Sequence, residues 1–234
     1  ILSGLVGSEM CIRDSRWSMF GLSFLLGLSM WTSALSMRTH SVTHVYLGFV
    51  SVIAMWSWHE MAFLTGWLAG PRRVALDAGL LFSQRFGQSV MAILYHELAL
   101  LINFGVLLVL QQGQPNHIAL CTYALLWCMR LSAKLNLFLG VPQVGAHYLP
   151  VHLHYLGSYF KTAPVSPFFY LTMLLSVATW SWMVWALHSG EVLINTGWVL
   201  LSSLLGLAIV EHVLMVLALP LQRLWGWAMK VNPA

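Results

Sequence analysis

Charge is what this chain has least of. Asp, Glu, Lys and Arg make up 8% of its 234 residues, against 59% that are hydrophobic, and the mean hydropathy is +0.77. So little charge and so much apolar surface exclude a soluble globular domain. The formal net charge of +4 is small and its basic residues are scattered, which excludes nucleic-acid binding. Cysteine is scarce as well, at three residues. Cys121 and Cys128 lie seven apart, on one face of a helix, and are expected to be small packing residues with no disulfide or zinc site. Internal repeats and low-complexity linkers are missing, and without a repeat or paired broken helices a transporter is the weakest option. What remains is an all-α polytopic membrane protein, a single bundle whose helices pack against one another in lipid.

Residues 9 to 15, EMCIRDS, read as the translation of a sequencing adapter fused to a genomic fragment. Residues 1–15 are therefore set aside as a non-native scar, and a further N-terminal helix is expected to be missing. Residues 16–234 form one transmembrane domain. At about 20 apolar residues per span, helices are predicted near 17–36, 43–69, 88–110, 116–140, 166–188 and 193–219. Gly70-Pro71, Gly113-Gln114-Pro115, Gly140-Val141-Pro142, Ser189-Gly190 and Pro220 supply the breaks. Six spans put the loops 70–87 and 141–165 on the side of the C-terminal tail. That side carries Arg72, Arg73, Arg85, Lys161, Arg223 and Lys230, and the other carries Arg38, so the C-terminus is expected to be cytoplasmic. Trp67, Trp225 and Trp227 fit an aromatic belt at that interface.

The few acids are oddly placed. Outside the scar they are Glu60, Asp77, Glu97, Glu191 and Glu211, and three of them fall inside apolar runs, each beside a histidine: WHEM at 58–61, YHEL at 95–98 and VEHV at 210–213. Ionisable groups in a membrane span cost several kcal/mol and persist where they meet partners or serve a function. Counted from the predicted cytoplasmic helix ends, all three carboxylates lie about 14 Å deep, in one layer. The fourth helix brings Arg130 to the same depth, with Lys134 at i+4 on the same face and Ser132 and Asn136 widening its polar side. A polar chamber is thus predicted from His59, Glu60, His96, Glu97, Arg130, Lys134, Asn136, Glu211 and His212.

Two readings of the chamber stand open, with a third beside them. In a scaffold, Arg130 and Lys134 pair with two carboxylates, the histidines complete the network, and the cluster fixes helix order. In a metal centre, Glu60, Glu97 and Glu211 with His59, His96 and His212 hold one or two iron ions, as carboxylate-bridged sites in helix bundles do. Against metal stands the spacing, because adjacent helical residues diverge by about 100° and one His-Glu pair cannot easily chelate one ion. The third possibility is a tetrapyrrole or quinone held by one of the histidines. The segment 141–165 is read as interfacial, with His147, His152 and His154 among Tyr and Leu.

Several stretches resemble one known family. WHEMAFLTGWLAGPRR at 58–73, AILYHELALL at 92–101, RLSAKLNLFLGVP at 130–142, LPVHLHYLGSYF at 149–160, and VEHVLMVLALP with LWGWAM near the end are similar to the photosynthetic complex assembly protein 2 family of purple phototrophic bacteria. The likeness runs from about residue 16 onward and departs at Val151, where the family favours proline. It implies an inner-membrane accessory factor in assembly of the reaction-centre and light-harvesting complex, with those subunits or their pigment, bacteriochlorophyll, as partners. The alternative is a membrane-embedded di-metal oxidase acting on a tetrapyrrole or isoprenoid pigment, with the carboxylates as bridging ligands.

Overall fold

The computed structural model describes residues 2–146, 149–187 and 192–217, with side chains from Met19 onward except at 192 and 193. His147, Glu191, Arg223, Trp225, Trp227 and Lys230 lie outside those residues. The elements are α1 (Leu2–Met37), α2 (Val42–Leu64), α3 (Phe82–Gln111), α4 (Ile118–Leu139), a 3-10 segment (Val151–Tyr159), α5 (Pro167–Ala186) and α6 (Val192–Leu214). Among the described residues no strand forms, and one isolated bridge pairs Val141 with Thr162. All six α-helices are long and apolar enough to cross a membrane, as the composition requires.

The helix starts follow local chemistry. Ser41 caps α2 by accepting a hydrogen bond from the His44 amide, and Ser166 caps α5, whose first residue is Pro167. Small side chains let α1 and α2 approach closely: Ser33 and Ser51 hydrogen-bond across the interface at 2.7 Å, and Gly48 faces Ser36 and Ala119. The central core is Met37, Val52, Met55, Leu100, Leu107, Ala119 and Tyr123, contributed by α1 to α4.

The second helix stops at Leu64, five residues before the predicted end at 69. Thr65 turns its hydroxyl back to the Met61 carbonyl, and Gly66 takes a φ of 78°, which ends the helix inside a run that still looks apolar. The chain then lies on α3. The Gly70 amide donates to the Ala92 carbonyl at 2.8 Å, and a Cβ at residue 70 would collide with the Met91 carbonyl, so only glycine fits. Helix α3 starts six residues earlier than predicted and at 30 residues spans about 45 Å, longer than a hydrocarbon core of about 30 Å.

The projecting start of α3 and end of α4 are wrapped by the two loops. Arg85 donates to the Phe138 and Tyr159 carbonyls, at 2.7 and 3.2 Å, and lies over the Phe138 ring. Arg72 donates to the Tyr159 hydroxyl and to Asp77. A hydrogen bond from Gln88 and one from Arg72 hold the Asp77 carboxyl below its ordinary value. Leu153, Leu156 and Tyr159 of the 3-10 segment are buried together with Phe63 and Ala92. The segment predicted to lie along the interface is therefore anchored by one buried side.

Candidate functional site

Helix packing sets the relative levels of the candidate residues. Gly48 of α2 abuts Ala119 of α4, and Gly197 of α6 abuts Ile118. Measured along each helix from those contacts, Glu60, Arg130 and Glu211 are all about 17–21 Å away. Those three residues thus lie at one level along α2, α4 and α6. The helix ends from which their depth was counted are not equivalent, since α2 and α6 stop within one turn of their glutamates whereas α3 and α4 run on.

Within the layer the two members of each pair part company, as the divergence of adjacent helical residues demands. His59, His96 and His212 are buried, while the side chains of Glu60, Glu97 and Glu211 are 22%, 21% and 60% exposed. The carboxylates go to the cations of α4. Arg130 Nη2 donates to Glu60 Oε2 at 2.8 Å, with Nη1 3.9 Å from Glu211 Oε1. One turn further, Lys134 Nζ donates to Glu97 Oε1, whose other oxygen receives a long 3.5 Å bond from Trp127 Nε1. Two groups of charge thus hang from one helix. One joins α4 to α2 and α6, the other α4 to α3.

The histidines have separate roles. Asn103 Nδ2 donates to His59 Nε2 at 2.8 Å. His212 Nδ1 lies 2.8 Å from the Ala208 carbonyl and so carries the proton there, which leaves Nε2 to accept from the Ser132 hydroxyl at 3.0 Å. Asn136 donates to the Ser132 carbonyl and toward Thr172 of α5. His96 packs on the Phe63 ring, and neither of its ring nitrogens has a hydrogen-bond partner among the described residues. Away from the layer, His152 Nε2 reaches the Leu64 carbonyl at the end of α2, and His154 Nε2 the Leu149 carbonyl. Both therefore serve as clips between the 3-10 segment and backbone.

These placements do not fit a shared metal. Each of Glu60 and Glu97 is already engaged by a cation, the imidazoles point elsewhere, and among the described residues no three His, Cys, Asp or Glu are placed to hold an ion. Cys121 and Cys128 are free and exposed, so they face the surroundings of the bundle instead of packing between helices. A small apolar thiol is tolerated there because its burial contributes little.

Reading the sequence missed Asn103, Trp127 and Trp56. The first two orient His59 and Glu97. Asn103 could have been found as an amide alone in the apolar run LLINFGVL, where polar groups hydrogen-bond between helices. Trp56, with Glu60, Leu125, Leu126, Met129, Arg130, Leu204, Leu207, Ala208 and Glu211, lines a cavity of about 230 Å³ between α2, α4 and α6.

No solved structure matches this chain. A Rhodobacter capsulatus protein described as "Uncharacterized 30.4 kDa protein in puhA 5'region" is 40% identical over 210 residues, covering 88% of this chain and 76% of its own length. The family model described as "Protein of unknown function (DUF3623)" matches residues 5–234. With nearly its whole length matched, the chain belongs to the DUF3623 family.

Proposed function

We propose that this protein is an inner-membrane accessory factor in assembly of the photosynthetic reaction-centre and light-harvesting complex, handling bacteriochlorophyll or the subunits that receive it. The observation that carries the reading is the relative's location. That protein is encoded in the puhA 5′ region, and puhA belongs to a photosynthesis gene cluster. The six apolar helices support a membrane role, and the grouping of Arg72, Arg73, Arg85 and Lys161 at the end of the bundle opposite Arg38 supports a cytoplasmic face for that end.

In this reading the charged layer is a scaffold. Arg130 and Lys134 fasten α2, α3 and α6 around α4, which fixes helix order in a solvent where apolar contact alone does not. The oxidase alternative has less support, because two of its three carboxylates, Glu60 and Glu97, are spent on cations. The test is deletion of the gene in its own phototrophic host, followed by near-infrared absorption of the membranes. Loss of assembled complex while mature pigment is still made is expected. Accumulation of one defined pigment precursor would overturn the accessory role in favour of a catalytic one.

A further inference from the structure

The cavity between α2, α4 and α6 is graded along the helix axes. At one end stand Glu60, Arg130 and Glu211, and one to two turns deeper stand Trp56, Leu125, Leu126, Leu204 and Leu207. The polar end lies within a turn of the ends of α2 and α6, each of 23 residues and so about 35 Å long. Helices of that length just cross a hydrocarbon core of about 30 Å, which puts the polar end at the head-group boundary and the apolar end inside the acyl layer. The cavity opens sideways, since Leu207 is 69% exposed and Glu211 has its side chain 60% exposed on the same edge of α6.

Among the described residues, the charges at the polar end are incompletely matched. Two carboxylates face one guanidinium, and Glu211 sits at 3.9 Å, beyond hydrogen-bond range. Glu60 Oε1 and Arg130 Nε are buried and have no hydrogen-bond partner among the described residues. A carboxylate at a membrane boundary with no donor among the described residues can take a proton, water or a further donor, and a spare guanidinium N–H can take an acceptor.

We infer that this cavity is a lateral binding site for a membrane-dissolved amphiphile whose head carries both a hydrogen-bond donor and an acceptor. The donor is received by Glu211 and the acceptor is met by Arg130, while the first part of the apolar tail lies between Trp56, Leu126 and Leu204. At about 230 Å³ the cavity is smaller than a typical drug-sized pocket. It holds a head and the start of a chain, and the remainder stays in the bilayer. Bulk phospholipid with an ammonium head and a scarcer long-chain alcohol share this chemistry. The inference does not depend on the assembly role, since the cavity and its charges are independent of which complex the protein serves.

The test uses the full chain reconstituted in phosphatidylcholine, whose head has no hydrogen-bond donor, with a diazirine-bearing hexadecanol as the probe. Irradiation should place adducts within residues 125–130 and 204–211. Excess unlabelled hexadecanol should suppress them, and Ala208→Trp, which fills the cavity, should weaken them by about tenfold. Adducts spread evenly over exposed residues of α5 such as Leu174 and Trp182, and not suppressed by competitor, would overturn the site. Saturation is read on the unaltered chain, so the test survives a misfolded tryptophan variant. Replacing part of the lipid by phosphatidylethanolamine separates the sources: suppression of the adducts identifies bulk lipid as the occupant, and persistence identifies a scarcer alcohol.

Discussion

The two ion groups on α4 are one helical turn apart and chemically alike, yet they are built to different standards. Around Lys134 there is one cation and one carboxylate, both largely shielded, with Trp127 closing the other oxygen. Around Arg130 there are two carboxylates, one tightly held and one loose, at the mouth of a cavity. A balanced pair in a membrane is a fastening, because removing either partner strands a charge. Among the described residues, the unbalanced trio leaves one carboxylate without a close donor. The difference teaches that the layer contains both a structural joint and an open position.

Four experiments sharpen or break that contrast. The largest effect is expected at the closed joint. Glu97→Ala leaves Lys134 shielded and unpaired, which should cost about 3–5 kcal/mol of stability, read as the thermal unfolding midpoint in detergent. Adding Lys134→Met should recover most of that loss, and the double-mutant cycle isolates the coupling. A single-variant loss below about 1 kcal/mol, the range of an exposed pair, would erase the distinction between the two groups. Next comes Glu60→Gln, which keeps a neutral acceptor for Arg130 at 2.8 Å and should cost about 1–3 kcal/mol by the same measurement.

Glu211→Gln should change stability by no more than about 1 kcal/mol, since its contact with Arg130 is long and its side chain is exposed. A loss matching that of Glu60→Gln would mean that the two carboxylates share the guanidinium equally. The smallest effect concerns the loop beside α3, where only a pH dependence is expected. Asp77 is more acidic in the folded chain than its ordinary value of 3.8, so its clip to Gln88 and Arg72 is intact above that value and released as the pH falls below it. The amide protection factors across residues 72–88, taken relative to the intrinsic exchange rate at each pH, should fall on acidification below about pH 4. The same fall in an Asp77→Asn variant would assign it to some other group.

How much of this was readable depends on which physical constraint governs each residue. The pairing of Glu60 and Glu97 was legible because an acid inside an apolar run needs a partner, and Arg130 and Lys134 are the cations inside the neighbouring span. The facing of each pair was not legible. A histidine and a glutamate adjacent on a helix diverge by about 100° whichever one turns inward, and only the neighbouring helices decide it. The end of α2 was hidden for another reason: TGWLAG at 65–70 reads as apolar continuation, and its break depends on Gly66 and on the fit of Gly70 against the Met91 carbonyl. That fit is tertiary. The cavity was invisible because Trp56, Leu126 and Leu204 carry no signal until three helices are set side by side.

Arg85 links these themes. Its guanidinium is satisfied by the carbonyl dipoles of Phe138 and Tyr159 and by the Phe138 ring, and among the described residues no carboxylate forms an ion pair with it. It therefore ties α4 to the 3-10 segment without surrendering its charge. One side chain in this way works as a fastener in the finished fold and still counts, at full value, among the positive charges that orient a chain in the membrane as it inserts. A change to glutamine would retain donors for the carbonyls but discard the charge, which makes this position a place where architecture and topology can be separated.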